Sequence, residues 1–144
     1  PRIPSLWHIS SRRSYSSSNS YYYGQESKGN YDTGYPNWGS LEAPVIDLTN
    51  SHDTRLSFRY WLDKEQYHDY AALEVLDSDQ RWRPIYYFST PTAGEWRVAD
   101  VYLSEFDGKK IKLRFYFNTL DEHKNAYEGL YIDDFVVFTP PFLP

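Results

Sequence analysis

Clear period-two alternation runs through Ile111-Lys112-Leu113-Arg114-Phe115-Tyr116-Phe117 and through Leu56-Ser57-Phe58-Arg59-Tyr60-Trp61-Leu62. A period of two is the signature of a strand with one buried face, and it is incompatible with a helix of 3.6 residues per turn. Weaker strand signals sit at 6–10, 20–24, 41–48, 71–77, 84–88, 95–103 and 130–138. Between them fall the turn-forming runs Asp77-Ser78-Asp79-Gln80, Pro91-Thr92-Ala93-Gly94 and Asp107-Gly108-Lys109-Lys110. No window carries a sustained helical stripe, and only Tyr102-Leu103-Ser104-Glu105-Phe106 reads as a short helical turn, with Ser104 as its cap. Eight or nine short strands at this spacing predict an all-β antiparallel β-sandwich. Its first and last strands should lie close together, as in a jelly roll.

The Ser-rich run 10–20 has the composition of a linker, but the aromatic run Tyr21-Tyr22-Tyr23 follows at once, which predicts a long ordered loop feeding a strand. One domain over 1–138 is expected, followed by a Pro-rich tail or linker at 139–144 that cannot continue a central strand. Aromatics make up 19% of the chain and Tyr alone 15 residues, so the apolar surface is built from rings, which suits strands. A net charge of −5 with scattered basic residues argues against nucleic acid. No apolar run is long enough to insert in a membrane as a helix. Absent cysteine excludes disulfides, thiolate metal sites and thiol catalysis. The Pro1 start without an initiator Met is what a mature or excised piece of a longer precursor would show.

The adjacent carboxylates Asp133 and Asp134 lie inside the last strand signal. Neighbouring strand residues point to opposite faces, so one of the two should be driven inward. A buried carboxylate must be neutralised by a cation, a hydrogen-bond network or a rearranged backbone. With no zinc-type ligand set, the cation expected here is calcium held by oxygens.

Taken in order, several segments match one pattern. Leu6-Trp7-His8 opens it, then Tyr21-Tyr22-Tyr23-Gly24, Gly29-Asn30-Tyr31-Asp32-Thr33-Gly34, and Gly39 to Leu48. Leu56 to Trp61, Asp69 to Val75, Ile111 to Phe117, Thr119-Leu120-Asp121 and Tyr127-Glu128-Gly129-Leu130-Tyr131-Ile132-Asp133-Asp134 complete it. This series resembles the MAM-like jelly-roll domain of secreted bacterial proteins, best known from immune inhibitor A type metallopeptidases. The resemblance runs from about Leu6 to Phe138. It implies a non-catalytic, secreted or cell-surface accessory module attached to a peptidase, glycoside hydrolase or surface protein, often with bound calcium. The chain departs from the pattern at Asp77-Ser78-Asp79-Gln80-Arg81-Trp82, where a glycine-rich turn is usual. The peptidase motif HExxH is absent: His8, His52, His68 and His123 lack its spacing.

For calcium, Asp32 in its Gly-flanked loop and Asp133 or Asp134 on the last strand are the first candidate ligands, with Glu26, Asn30, Glu128 and Asp121 beside them. The plainer reading is that Asp32 bonds its own turn and Asp133 faces water. For carbohydrate, which is gripped by exposed aromatic plates beside polar side chains, the candidates are Tyr22, Tyr35, Trp38 and Trp82, with Arg81, Arg83, Tyr86 and Tyr87 nearby. Tyr is also common in sandwiches, where rings pack under loops or against a neighbouring module. The pairs Glu65 and Asp69, or Asp77 and Asp79, are suited to acid–base work, although such pairs commonly sit on solvated loops. No Ser, His or carboxylate set forms a nucleophile, base and orienter, so no catalysis is expected. Two functions follow. One is a calcium-stabilised module that binds a polysaccharide or glycoprotein and targets an attached enzyme. The other is an interaction or adhesion module that packs on a neighbouring domain or on a second copy.

Overall fold

The computed structural model describes residues 4–65 and 68–141; the end of the expected tail, 142–144, lies outside them. Among the described residues ten strands follow in chain order: β1 (Trp7–Ser10), β2 (Ser20–Tyr23), β3 (Trp38–Glu42), β4 (Ile46–Asp47) and β5 (Arg55–Asp63). The second half contributes β6 (Tyr70–Leu76), β7 (Trp82–Tyr87), β8 (Arg97–Tyr102), β9 (Lys110–Asn118) and β10 (Gly129–Phe138). They form two antiparallel sheets, one ordered β1-β2-β10-β5-β8 and the other β3-β9-β6-β7, with β4 pairing the start of β9. This is a jelly-roll β-sandwich, as the alternation predicted. The segment expected as one strand at 41–48 is two strands, because Ala43-Pro44-Val45 interrupts the ladder to β9. The turn at Ser104–Phe106 is a single 3-10 turn entered from Leu103 with no side-chain cap, so Ser104 does not serve as one.

The two strongest alternating segments became interior strands, one in each sheet. On β9, Ile111, Leu113, Phe115 and Phe117 are all buried, and on β5 Leu56, Phe58 and Leu62 are. Rings dominate the space between the sheets. Tyr23 stacks on Phe117 at 4.4 Å and Phe58 meets Phe115 edge-on at 5.2 Å. Each such ring removes 150–250 Å² from water, and offset and edge-on pairing adds to that burial. A mean hydropathy of −0.73 therefore coexists with a complete core, because Tyr supplies apolar area and still has a hydroxyl to satisfy: Tyr23 Oη donates to Asn37 Oδ1 at 2.6 Å.

The outer face of the first sheet is covered by the Ser-rich run. Arg13 lies 4.0 Å over the Trp61 ring and makes a two-pronged ion pair with Glu128, at 2.6 and 3.0 Å. Under this strap Tyr22 stacks on Tyr131 at 4.2 Å, with Trp61 and Trp96 completing a small second core. The run is an ordered loop, as its aromatic successor indicated.

Asp133 and Asp134 take the third way out, a rearranged backbone. The register of β10 against β5 shifts between Asp133 and Val136, and Asp134 has φ 52, a one-residue bulge. Leu130 and Ile132 face the core before the bulge, and Phe135 and Val137 pack on it afterwards. The inserted residue resets the alternation so that neither carboxylate enters the core. Asp133 Oδ2 accepts the backbone N–H groups of Tyr15 and Ser16 at 2.8 and 3.1 Å, and Ser16 Oγ donates to Asp134. The pair anchors the strap.

Candidate functional site

The outer face of the second sheet is open, and its register collects aromatic and polar side chains in rows. Trp38, Asn118 and Tyr70 stand side by side; next come Ser40, Tyr116, Ala72 and Tyr87; then Glu42, Arg114, Glu74 and Pro84; last Lys112, Leu76 and Trp82. Strands lie ~4.8 Å apart and successive rows ~6.8 Å apart, so the face extends for roughly 20 Å along the strands. These are the residues that alternate with the buried Leu73, Val75, Leu113, Phe115 and Phe117.

Contacts on this face hold the rings in place. Tyr70 meets Tyr87 edge-on at 6.2 Å and Tyr116 at 6.0 Å. The Arg114 guanidinium lies 4.3 Å over Trp82 and 4.6 Å over Tyr116. Glu74 Oε1 accepts from Arg114 at 2.7 Å, and Glu74 Oε2 accepts from Tyr70 Oη at 2.6 Å. Burial, with that carboxylate adding to it, pushes the Tyr70 phenol up, so it remains a donor. Trp38 and Tyr87 present 57% and 58% of their surface to solvent. Both cations of the face are matched, Arg114 by Glu74 and Lys112 by Glu42 at 3.4 Å. The arrangement is a charge-balanced aromatic platform with pre-positioned hydrogen-bonding groups. It fits a ligand with flat apolar faces and many hydroxyls.

Two cavities bear on this reading. One of about 140 Å³ lies beside Tyr70 and Tyr87, lined also by Lys64 and Asp69. A larger one of about 250 Å³ opens at the edge between the sheets, among Tyr21, Leu41, Pro44, Phe115 and Phe135. It is almost wholly apolar, with Glu42 the one charged residue in its lining, so the open face is the better site.

Of the residues expected to bind sugar, Trp38 and Trp82 are on this face. Tyr35 is exposed in the loop that leads into β3, three residues before Trp38. Tyr22 is a correction. It is fully buried under the strap, and its hydroxyl donates to the Glu128 carbonyl at 2.5 Å. The exposed member of the triple tyrosine is Tyr21. Tyr70, Tyr116, Arg114, Glu74 and Asn118 were not singled out from the sequence. Their signal was the alternation itself, which puts Arg114 and Tyr116 opposite the apolar set of β9.

The residues expected to hold calcium are not brought together. Asp32 Oδ1 accepts from Gly34 N at 3.1 Å, which is the plainer reading. Asn30 Oδ1 accepts from Asp32 N at 3.0 Å, and Glu26 Oε1 is bonded to His8 and Ser10, each at 2.8 Å. Glu128 is taken by Arg13 and by Tyr131 at 2.7 Å, and Asp133 and Asp134 by the strap. Each already has protein donors. Among the described residues the one group of three carboxylates within 4.8 Å of one another is Glu65, Asp69 and Asp121, of which only Asp121 was a candidate ligand. Glu65 and Asp69 are both buried, unlike the solvated pair their spacing suggested. Burial pushes the Asp69 carboxyl up to about 6; the charge of Glu65 adds to this and the Tyr31 hydroxyl opposes it.

Comparison with known proteins bears on the fold. No family model matches the chain. A stretch of 88 residues is 28% identical to Immune inhibitor A of Bacillus thuringiensis subsp. alesti, covering 56% of this chain and 13% of that protein. The chain therefore spans a small part of that relative. Among solved structures it is similar to TmCBM61 in complex with β-1,4-galactotriose, with a TM-score of 0.59, 16% identity, and coverage of 93% of this chain and 88% of that one. It is equally similar to the C-terminal family 22 carbohydrate-binding module of Clostridium thermocellum Xyn10B, with a TM-score of 0.59, 12% identity, and coverage of 96% and 83%. A family 16 carbohydrate-binding module follows at 0.56, 12% identity, and coverage of 96% and 89%. At these identities the likeness establishes the jelly roll. The weak partial match falls on a protein of the type the sequence resembled, while these three solved structures are carbohydrate-binding modules, so the likeness supports a jelly roll without being specific to the MAM type. No helix among the described residues is long and apolar enough to cross a membrane.

Proposed function

We propose that this chain is a non-catalytic carbohydrate-binding accessory module, secreted or displayed at the cell surface as a MAM-like part of a larger protein. In this reading it holds a polysaccharide or glycoprotein glycan against the outer face of the second sheet. The observation that carries the proposal is the row structure of that face: Trp38, Tyr70, Tyr116, Tyr87 and Trp82 beside Arg114, Glu74 and Asn118. Exposed rings stack on the C–H faces of sugars, and polar groups already fixed by their neighbours read the hydroxyls at little ordering cost. Because Arg114 and Lys112 are both paired with carboxylates, the face favours a neutral glycan over a uronate or sulfated one. The partial likeness to Immune inhibitor A and the carbohydrate-binding fold of the solved neighbours support the accessory role.

Affinity electrophoresis through gels containing β-1,4-galactan, xylan, mixed-linkage glucan, polygalacturonate or heparin tests this. Retardation in one neutral polymer that is abolished in Trp38→Ala is the expected result. Equal mobility in every gel would reject the glycan reading.

A second reading rests on β8, an edge strand that exposes Val98 and Tyr102 at 47% and 65%. An unpaired edge with exposed apolar side chains is a template for another chain, which is the interaction or self-association alternative. Sedimentation velocity across a concentration series checks it, and a monomer at every concentration would remove self-association.

A further inference from the structure

We infer that the open corner between the two sheets is a docking cleft for an extended peptide of a partner protein, one that carries apolar side chains with a Lys or Arg beside them. The corner exists because core-facing side chains of the first sheet run out of cover. Ile9, Tyr21 and Ile132 stand in one row across β1, β2 and β10, so they point to the same face. Ile132 is buried, yet Tyr21 is 44% exposed and Ile9 64%. On the opposite wall β3 ends at Glu42, and the chain leaves the ladder through Ala43-Pro44-Val45, where Val45 is exposed. Single apolar residues on an outer surface are ordinary. Here they lie on the core side of a sandwich, bared together where the second sheet stops, which is how a surface meant for a partner looks.

Two cavities make up the cleft. One of about 250 Å³ reaches Leu41 and Pro44, one of about 240 Å³ reaches Ile9, Asp133 and Asp134, and Tyr21 and Phe135 line both. Two joined compartments suit a chain that places one side chain in each. The first compartment is too apolar to read the hydroxyls of a sugar, so its occupant is a hydrophobic side chain.

Charge decides what sits in the second. The donors that reach Asp133 and Asp134 are all uncharged: the backbone N–H groups of Tyr15, Ser16 and Asp134, and the Ser16 hydroxyl. Arg59, opposite Asp133 on β5, instead lies 4.3 Å over the Tyr15 ring. Glu42, at the first compartment, is already matched by Lys112. Negative charge is therefore left without a cation at one end of the cleft only. A Lys or Arg next to the hydrophobic side chain supplies that cation, and complementary charge of this kind selects partners. A net charge of −5 also makes a basic partner a better match than a second copy of the chain.

An array of short peptides of the pattern Gly-X-Ser-X-Ser-Z-Gly, and its reverse, tests this. X is an apolar residue and Z is Lys, Arg, Ser or Glu, so in an extended peptide both X and Z face one side. Binding is read by fluorescence anisotropy and by the backbone amide signals that shift. Peptides with basic Z should bind and shift Ile9, Tyr21 and Phe135, and their Glu counterparts should not bind. Tyr21→Ser should weaken them roughly tenfold or more with the fold intact by circular dichroism. Asp134→Asn, which suits the positive φ of that residue, should weaken basic peptides about threefold and leave Ser peptides unchanged. No retained peptide, equal binding of Lys and Glu peptides, or binding that Tyr21→Ser leaves unchanged would overturn the assignment. A concentration-dependent dimer that Tyr21→Ser abolishes would give the cleft to a second copy and overturn it as well. None of these readouts involves sugar, so the cleft and the glycan face fail or stand separately.

Discussion

The Arg114 guanidinium lies 4.3 Å from the centre of the Trp82 ring while its nitrogen reaches Glu74 at 2.7 Å. One side chain thus orients a ring of the platform and neutralises a carboxylate that is only 6% exposed. Removing Arg114 strands that carboxylate, and breaking a buried pair from one side costs about 3 kcal/mol. Arg114→Met should lower stability by about that much, and adding Glu74→Leu should restore most of it. Urea unfolding of the two variants measures both. A single variant as stable as the unaltered protein would contradict the pairing.

Trp38 behaves differently, because over half of it is exposed and nothing in the core rests on it. Trp38→Ala should leave Tm within about a degree, since exposed positions away from special contacts tolerate change. Glycan affinity should fall at least tenfold, about 1.4 kcal/mol. Loss of stability in parallel with affinity would mean that the ring is structural.

Asp133 holds the strap through Tyr15 N and Ser16 N. Asp133→Ala should cost about 1 kcal/mol, the price of two half-exposed charge-assisted hydrogen bonds. Proteolysis in the Ser-rich run should also become faster. The Tm loss should be the same in calcium and in EDTA. A loss seen only in calcium would return Asp133 to the role of a metal ligand.

How much of this was visible in the sequence divides along one line. Alternation on β5 and β9 fixed which residues face the core, and through it the two sheets. Of the three consecutive tyrosines, which cannot all face inward on one strand, Tyr21 is the exposed one. What alternation could not show is that the outer face of the first sheet is itself covered. Tyr22 is hidden beneath the strap in a cluster with Trp61, Tyr131 and Trp96, and Arg13 over Trp61 is placed by Glu128, 115 residues away. The Asp133-Asp134 pair was read correctly as an anomaly. Its resolution by a bulge depends on Asp134 at φ 52, a backbone conformation invisible in a list of residues. The acidic cluster was hard to see for the same reason, since Glu65 and Asp121 meet only when β5 and β9 end at one side of the sandwich.

Glu128 supplies a pH dependence. Burial alone would raise its carboxyl, but hydrogen bonds from Arg13 and Tyr131 hold it below the usual 4.5. A carboxyl depressed in the folded state adds stability that is complete above its unfolded value and is lost as pH falls through the folded value. The unaltered protein should therefore exceed Glu128→Gln in Tm at pH 7, and the gap should close as the pH drops below about 4.5. A gap that does not change between pH 7 and pH 3 would assign the effect to shape and not to charge.

Gly129 opens β10 at φ 121, and a Cβ built there would stand 2.1 Å from the Tyr23 carbonyl oxygen, inside the β2 to β10 ladder. Gly129→Ala must move one of two backbones and should cost about 2 kcal/mol or more, read from chemical denaturation. A neutral substitution would mean that the two strands are further apart than described.

The central claim is that the outer face of the second sheet binds a neutral glycan. Isothermal titration of the unaltered chain and a Trp38→Ala/Tyr87→Ala variant with oligosaccharides of the best-retained polymer tests it most directly. Saturable binding to the unaltered chain, absent from a double variant with an unchanged melting temperature, is the predicted result. Binding that survives loss of both rings, or no binding to any neutral glycan, would contradict the account.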